Sequence, residues 1–322
     1  MKFLQDGGGS VCGCDDGRPV VLVLRALKLG DLLVAVPALH ALRREYPGHR
    51  LLYAAQDWLG DALALVGGYE LLPTHGLDVP LALPPGQVDV AVNLHGRGPE
   101  SDSRLEALRP RRVIAHASER RAGPLWDDDV HERQRWARLL QWHGIEADSS
   151  EYRLNPPAAR TDRPSATVIH PGAAYGSRLW PEDRFAEVAS ELVQAGHNVV
   201  FTGSAAERPR ATRIAALAGL GEEPVLAGQQ SLSGFAALIA ESRLVVSADT
   251  GAAHLATAYR RPSVVLFGPA APEHWGPPPG PHAVLTKAAL RRGDTFAAEP
   301  DPALLGVGVH EVLAAVRGLG LL

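Results

Sequence analysis

The sequence predicts an α/β protein with two Rossmann-like, doubly wound domains that face a central cleft. Two observations carry this prediction: short apolar runs alternate with helical patterns in each half of the chain, and a proline-rich segment separates the two halves. Strands that alternate with helices are typical of βαβ units and hence of a parallel sheet. Ligands of such sheets bind beyond the carboxyl ends of the strands, so the cleft between the domains is the expected site.

The first half begins with VVLVLRA at 20–26, a continuous apolar run typical of a strand buried on both faces. A helical pattern follows over 32–46, and Pro47 and Gly48 end it. We expect an N-terminal domain over 19–155. Its other predicted elements are the strands RLLYAA, YELLP, VDVAVNLHG and RRVIAHAS, and helices near 57–66, near 100–108 and in VHERQRWARLLQWHGI.

The second half follows YRLNPPAARTDRPSA at 152–166, a segment whose proline content is typical of an interdomain linker. We expect a C-terminal domain over 166–308 and a final amphipathic helix over 309–322. The predicted strands of this domain are TVIHPG, HNVVFTGS, EPVLAG, RLVVSADTG and SVVLFGP, with helices over 181–195, near 206–218, from Ser231 or Ser233, and over 252–259.

Composition excludes several classes of protein. The 322 residues carry a formal net charge of -4, whereas nucleic-acid binders usually present a basic field. No secretory leader and no run of 18 apolar residues occurs, so we expect neither export nor a membrane span, and hence a cytoplasmic protein. We also expect a monomer. Cys12 and Cys14 lie in a tail over 1–18 that we expect to be flexible, and one C-x-C pair cannot supply the four ligands of a zinc site. We therefore predict no metal.

Two nucleotide-binding signatures are missing from the chain. No G-x-x-x-x-G-K-[ST] occurs, which argues against P-loop chemistry. No G-x-G-x-x-G joins a strand to a helix either, so the sequence does not favour a dinucleotide-dependent dehydrogenase.

The motif VVSADTGAAHLATA places Asp249, Thr250, Gly251 and His254 where a buried strand turns into a helix. The free N–H groups and positive dipole end of that helix favour an anion such as phosphate, which Gly251 would let approach the backbone. An equally open alternative is that Asp249 or Thr250 only caps the helix and His254 only packs against the sheet.

Two further loops of this domain suit phosphate or sugar. In VIHPGAAYGSRLWP, Gly172 opens a small-residue loop, and Arg178 could clamp phosphate oxygens or remain a solvated surface arginine. In FTGSAAERPRA, Gly203 follows a strand, and Glu207 could accept from a sugar hydroxyl or only complement the helix dipole.

The first domain offers candidate acceptor contacts at its own strand ends. Asn93, His95 and Arg97 follow one strand, and Lys28 precedes the Gly30–Asp31 pair that follows another. Two sets of charged residues have simpler explanations than ligand binding. The acids Asp127 to Asp129 suit a helix N-terminus better than a metal site, and a group of arginines is more typical of solvated surface than of a membrane or acceptor contact: Arg109, Arg111, Arg112, Arg120 and Arg121.

Together these motifs resemble glycosyltransferase family 9, the ADP-heptose:lipopolysaccharide heptosyltransferases and their relatives. The resemblance covers about 20–320 and rests on GDLLVAVPAL, PGAAYGSRLWP and DTGAAH, in that order, with the trailing RRPSVVLFGP. It implies the GT-B fold and an inverting, metal-independent transfer without a cofactor. It also implies an ADP-sugar donor, a heptose as the transferred sugar, and a saccharide, glycolipid or small-molecule acceptor, with peripheral contact to the inner membrane face as one option.

The resemblance gives Asp31 the role of general base and assigns the second domain to the donor. Arg178 stands one position away from the lysine that family members often carry before the W-P pair. The alternatives at this stage are transfer from a UDP- or GDP-sugar, a nucleotide-sugar epimerase, and a nucleotide-sugar-binding protein without catalysis.

Overall fold

The computed structural model describes residues 17–322, so nearly all of the predicted tail, including Cys12 and Cys14, lies outside the described residues. The described chain forms two parallel β-sheets of five strands each, with helices packed on both faces. The predicted α/β class with two Rossmann-like units is confirmed. Within 17–322, no helix is long and apolar enough to cross a membrane.

The first sheet has the order β3-β2-β1-β4-β5. Its strands are β1 (Val20–Leu24), β2 (Arg50–Ala55), β3 (Glu70–Pro73), β4 (Val88–Asn93) and β5 (Arg112–Ile114). Its helices are α1 (Leu29–Glu45), α2 (Gly60–Val66), α3 (Pro99–Glu106) and α4 (Glu132–Trp142). Alternate residues of β1 point to opposite faces: Val21 and Val23 join one apolar core, and Leu22 and Leu24 join the other. This double burial explains why β1 is apolar throughout.

The second sheet has the order β10-β9-β8-β6-β7. Its strands are β6 (Thr167–His170), β7 (Val199–Phe201), β8 (Leu244–Ala248), β9 (Ser263–Leu266) and β10 (His282–Leu285). Its helices are α5 (Glu182–Gln194), α6 (Arg208–Leu217), α7 (Leu232–Ala240), α8 (Gly251–Ala258), α9 (Pro272–Trp275), α10 (Pro302–Leu305) and α11 (Val309–Gly318). The predicted final helix corresponds to α11, which packs Val312 and Val316 into the core of this sheet.

Several elements differ from the sequence predictions, and the short helices α9 and α10 were not predicted. Helix α1 begins at Leu29, one turn before the predicted start, and therefore includes Gly30 and Asp31. The predicted strand EPVLAG forms only a single bridge between Phe201 and Val225, because Pro224 has no N–H to extend a ladder. Strand β10 was not predicted, since its four residues lie between proline- and glycine-rich segments.

The segment 152–166, predicted as a linker, contains neither helix nor strand. It is nevertheless held to both halves of the molecule. The Asn155 N–H donates to Leu65 O at 2.9 Å, and the Tyr259 hydroxyl donates to Asn155 O at 3.2 Å. The linker is thus hydrogen-bonded to α2 of the first domain and to the residue that follows α8 in the second.

One apolar core runs from the first domain into the second. It includes Leu32 and Leu39 of α1, and it continues through Ala252 and Leu255 of α8. Because these side chains are almost completely buried, the two domains share hydrophobic stabilisation along the contact between α1 and α8. This contact determines which residues of the two domains meet.

Candidate active site

The strand order places a topological switch point in each domain. In the first sheet the chain runs from β1 to β2 and β3 on one side of β1 and then crosses to β4 on the other side. In the second sheet it runs from β6 to β7 and then crosses to β8 on the other side of β6. Crevices at the carboxyl ends of such strands are the usual ligand sites of doubly wound sheets. The predicted site residues follow β1 and β4 in one domain, and β6, β7 and β8 in the other.

The first turns of α1 and α8 touch across the domains, and glycine makes the approach possible on each side. A Cβ on Gly30 would lie 3.0 Å from Cδ2 of His254, and a Cβ on Gly251 would lie 2.7 Å from Cδ2 of Leu29. The open side of Gly251, which we expected to face a diphosphate, is therefore covered by Leu29. The contact brings the start of α1, with Asp31, beside the start of α8.

Asp31 occupies the third position of α1 and stabilises the helix start. Its Oδ2 accepts the Lys28 N–H at 3.1 Å, and its Oδ1 lies 3.4 Å from Nη2 of Arg25. Asp31 thus caps α1 from the position three residues after the cap residue Lys28. The carboxylate keeps 24% of its surface exposed, so it remains open to a ligand on the cleft side.

Arg25 was not predicted as a site residue, although a charged residue at the end of an apolar strand was a usable signal. It is almost fully buried. Its Nε donates to the main-chain oxygen of Asp31 at 2.7 Å, and its Nη1 donates to Leu94 O. One guanidinium thereby ties the end of β4 to the start of α1.

His95 lies near Arg25 and Asp31. Its Nδ1 accepts the Ala26 N–H at 3.2 Å. Burial and the neighbouring Arg25 lower the pKa of His95, while Asp31 acts in the opposite sense. The neutral ring therefore carries its proton on Nε2, which makes His95 a hydrogen-bond donor rather than a base.

The other predicted acceptor contacts are dispersed. Asn93 is buried and uses its amide internally, donating to Ser101 and Asp102 and accepting the His95 N–H. It positions His95 and does not face the cleft. Arg97 is 58% exposed and lies 3.7 Å from Asp128, outside this group. Lys28 is exposed and has no ion pair within 4.0 Å among residues 17–322.

In the second domain, Arg178 and His254 converge on Asp249. Arg178 Nη1 lies 3.2 Å from Asp249 O and 3.5 Å from its Oδ2, and His254 Nε2 lies 3.3 Å from Oδ1. Asp249 is 3% exposed. Arg178 is therefore not a solvated surface arginine, and the two predicted loops form one cluster.

Two polar atoms of this cluster are buried without a hydrogen-bond partner in the described chain: Nε of Arg178 and Oγ1 of Thr250. Thr250 occupies the cap position of α8, yet its side chain makes no capping bond, so the expectation that Asp249 or Thr250 caps this helix is wrong. Leaving a buried donor unsatisfied costs about 1–3 kcal/mol. Both atoms are hydrogen-bond donors, which suits an anionic ligand.

Gly172, Gly203 and Glu207 form an adjacent group after β6 and β7. A Cβ on Gly203 would lie 3.2 Å from Oε2 of Glu207, and a Cβ on Gly172 would overlap its carboxyl group. The glycines thus make room for the Glu207 side chain. Its Oε2 accepts the Ser204 N–H at 2.6 Å, which supports the dipole and capping explanation. Burial lowers the pKa of the neighbouring His170, and the Glu207 charge opposes this shift.

The remaining charged groups lie outside the cluster. Asp127 to Asp129 precede α4 in a turn, where the Asp127 carboxylate accepts the Asp129 N–H at 3.0 Å. Within 17–322, no three His, Cys, Asp or Glu side chains are placed to hold a metal ion. Four of the predicted surface arginines have partners close to them. Arg111 pairs with Asp89, and Arg112 donates to His143 O. Arg120 and Arg121 pair with Glu106, and Arg121 also pairs with Asp102.

A polar contact bridges the domains beside the cleft. His131 Nε2 and Arg133 Nη2 both donate to Gly276 O, each at 2.9 Å, and His131 Nδ1 accepts the Arg133 N–H at 3.1 Å. Burial, together with the charge of Arg133, lowers the pKa of His131 to about 4. Nε2 can donate to Gly276 O in either protonation state, but Nδ1 accepts the Arg133 N–H, the bond that caps α4, only when the ring is neutral.

The comparison with protein families agrees with this arrangement. The model of glycosyltransferase family 9 (heptosyltransferase) matches residues 138–297, from α4 to the segment after β10. The chain belongs to glycosyltransferase family 9. The matched stretch includes all three loops of the second-domain cluster.

Curated relatives include lipopolysaccharide heptosyltransferase 2 of Escherichia coli, which is 34% identical over 146 residues. That match spans 43% of this chain and 41% of the relative, which is less than half of either protein. Lipooligosaccharide heptosyltransferase 2 of Haemophilus ducreyi is 25% identical over 316 residues, covering 83% of this chain and 88% of the relative.

Among solved structures, the fold matches that described as E. coli ADP-heptose lps heptosyltransferase II. The TM-score is 0.73 at 21% identity, and the match covers 93% of this chain and 98% of the other. At this identity the likeness establishes the fold alone. This family 9 member therefore has the GT-B fold, as its sequence motifs implied.

The bridge at His131 predicts a pH dependence of stability. Between about pH 6.5 and pH 4 the unfolded chain binds a proton at His131 that the folded chain does not, so stability falls as pH falls through this window. His131→Asn retains a helix-capping residue but does not titrate. We expect its free energy of unfolding to be lower at pH 7 but to fall less between pH 7 and pH 5, measured by urea denaturation. Equal decreases in both proteins would contradict the assignment.

Proposed function

We propose that this protein is an inverting heptosyltransferase that moves a heptose from ADP-heptose to a hydroxyl group of a lipopolysaccharide-core saccharide, with Asp31 as general base. The observation that carries the proposal is the contact between the first turns of α1 and α8, which sets a partly exposed carboxylate opposite a cluster of anion-binding donors. The choice of heptose and ADP is supported by the described activities of the relatives and of the matched structure.

The reaction we propose is a single displacement. The acceptor oxygen attacks the anomeric carbon of the donor, and the bond from that carbon to the diphosphate oxygen breaks with its electron pair leaving on ADP. The acceptor proton passes to the Asp31 carboxylate. Attack on the face opposite the leaving group inverts the anomeric configuration, and positioned acid–base catalysis of this kind contributes about 10²–10⁴-fold.

Asp31 suits the role of base because its carboxylate is held in place on one side and open on the other. Arg25 and the Lys28 N–H approach the carboxylate from the protein side, and the exposed part remains for the acceptor. His95 complements it, since a neutral ring with its proton on Nε2 donates to a sugar hydroxyl without competing for its proton.

The second domain stabilises the leaving group. The buried donors on Arg178 and Thr250 provide charge and hydrogen bonds for diphosphate oxygens, and the free N–H groups at the start of α8 add the helix dipole. Asp249 cannot itself bind an anion. It holds the guanidinium of Arg178 and the ring of His254 in place.

Asp31→Asn tests the base assignment, since the amide keeps the shape of the side chain but cannot accept the proton. We expect transfer from ADP-heptose to a heptose-deficient core saccharide to fall by about 10²–10⁴-fold, with ADP affinity unchanged. Asp128→Asn is the control, because Asp128 is an exposed aspartate of the same domain that pairs with Arg97. Rates come from product formation by mass spectrometry, and the anomeric configuration comes from NMR. Nearly full turnover in Asp31→Asn would rule out Asp31 as base.

Arg178→Ala tests the donor site. Loss of a buried, charged hydrogen-bond donor costs about 1.5–3 kcal/mol, so ADP affinity should fall by about 10- to 100-fold in calorimetry. Arg178→Lys should restore only part of it, because lysine lacks the planar fork. Arg97→Ala, at an exposed arginine, should leave ADP affinity unchanged.

The same calorimetry compares ADP with GDP and UDP. Tighter binding of GDP or UDP would replace the proposed donor by another nucleotide sugar. ADP binding without transfer to any acceptor would favour a non-catalytic nucleotide-sugar-binding protein.

A further inference from the structure

A network of buried charges lies behind Asp31. It consists of two guanidinium groups and one further carboxylate, belonging to Arg25, Arg135 and Glu132, which are 2%, 5% and 7% exposed. Buried ionised side chains are rare and expensive unless they are paired. Nothing in the proposed displacement uses Glu132 or Arg135, so their presence needs a separate explanation.

Arg25 is shared between two carboxylates. Its Nη2 lies 3.4 Å from Oδ1 of Asp31 and 3.8 Å from Oε2 of Glu132. The guanidinium carbon lies 4.7 Å from the centre of the Trp136 ring, which closes one face to water. The guanidinium therefore has one partner at the cleft and one inside the protein.

Glu132 is itself held firmly. Its Oε1 accepts from Nε of Arg135 at 2.7 Å, and the Arg135 guanidinium carbon lies 4.1 Å from the centre of the Trp126 ring. Arg135 also donates to Asp127 O. With Asp31 ionised, the two arginines and two carboxylates carry no net charge.

We propose that Glu132 is a positioning residue: as a permanent counter-ion of Arg25, it lets Asp31 accept a proton without leaving a buried guanidinium unpaired. The proposal deepens the proposed function and rests on Asp31 being the base. With Asp31 as the sole counter-ion, proton transfer would strand the Arg25 charge in a medium of low polarity, which is strongly unfavourable. Glu132 gives Arg25 a second counter-ion, so the guanidinium stays paired when Asp31 takes the proton.

Other groups around Asp31 also contribute to its charge balance, and each comes from a different element. They are Arg25 at the end of β1, Lys28 before α1, Tyr53 of β2, His95 after β4, Glu132 of α4, and the His254–Asp249 pair at the start of α8. Of these, only Arg25 is cationic, buried and in direct contact with the Asp31 carboxylate. A change at Glu132, the second partner of Arg25, should therefore alter the interaction between Arg25 and Asp31.

A carbon-13 NMR titration of the Asp31 carboxyl group tests the proposal without any substrate. The chain is labelled at aspartate side-chain carbons, and the Asp31 signal is identified by its loss in Asp31→Asn. In Glu132→Gln the full attraction of Arg25 falls on Asp31, so its titration midpoint should move about one pH unit lower. Glu132→Asp should restore the midpoint.

Arg135→Gln gives a shift of opposite sign, because Glu132 is then free to neutralise Arg25 more completely and the Asp31 midpoint should rise. General loss of structure would not move the midpoint down in one variant and up in the other. If Glu132→Gln fails to fold, Arg135→Gln alone decides. Glu70→Gln is the matched control: it breaks a glutamate–arginine pair with Arg50 at the far end of the same sheet.

Kinetics complete the test. With ADP-heptose as donor, the acid limb of kcat/KM in Glu132→Gln should follow the NMR shift to lower pH, and kcat should fall by about tenfold while KM for the donor is unchanged. An unmoved Asp31 midpoint in folded Glu132→Gln overturns the proposal, as does a loss of kcat with no shift in the pH profile. Absence of transfer by the wild-type protein would instead contradict the proposed function, while the NMR result stands on its own.

Discussion

The close approach of the first turns of α1 and α8 is the constraint on which the site depends. Each helix begins at the carboxyl end of a central strand, and each has a glycine where the other helix arrives. A side chain on Gly251 would displace Leu29, and one on Gly30 would press on His254. Because the apolar core continues through this contact, the relative placement of the two domains and the geometry of the cleft are stabilised together.

The contact also separates two aspartates into different roles. Asp31 and Asp249 both follow a buried strand, yet their surroundings differ. Asp31 is partly open and accepts two hydrogen bonds from the protein side, whereas Asp249 is enclosed by Arg178 and His254. An open carboxylate can exchange a proton with a ligand, and an enclosed one can hold cationic side chains in position. The different roles proposed for Asp31 and Asp249 follow from that difference in environment.

Much of the fold was predictable because its signals are local. Buried parallel strands are continuous apolar runs, and the helices between them start and end at recognisable residues. Strand β10 was missed and EPVLAG was wrongly predicted as a strand, because proline and glycine obscure short elements. The early start of α1 was missed because an aspartate before a helical pattern is typical of a cap, whereas Asp31 stabilises the helix from its third position.

The site was predictable only in part, since it depends on contacts between distant segments. The motifs led to Asp31, Arg178 and Asp249, but no local pattern shows that Asn93 is buried or that Arg97 turns away. Glu132 and Arg133 lie on a helix whose sequence reads as charged surface, yet both are buried against other elements. Their roles follow from packing between β1, α4 and the second domain, which a single sequence does not encode locally.

The most direct test of the donor site is the electron density of a crystal of the protein soaked with ADP. We predict that a phosphate oxygen lies about 3 Å from Nε of Arg178 and another about 3 Å from Oγ1 of Thr250, so that both buried donors gain partners. The terminal phosphate should then face Asp31 across the cleft. A diphosphate bound elsewhere, with both donors still unpaired, would contradict the assignment of this cluster as the donor site.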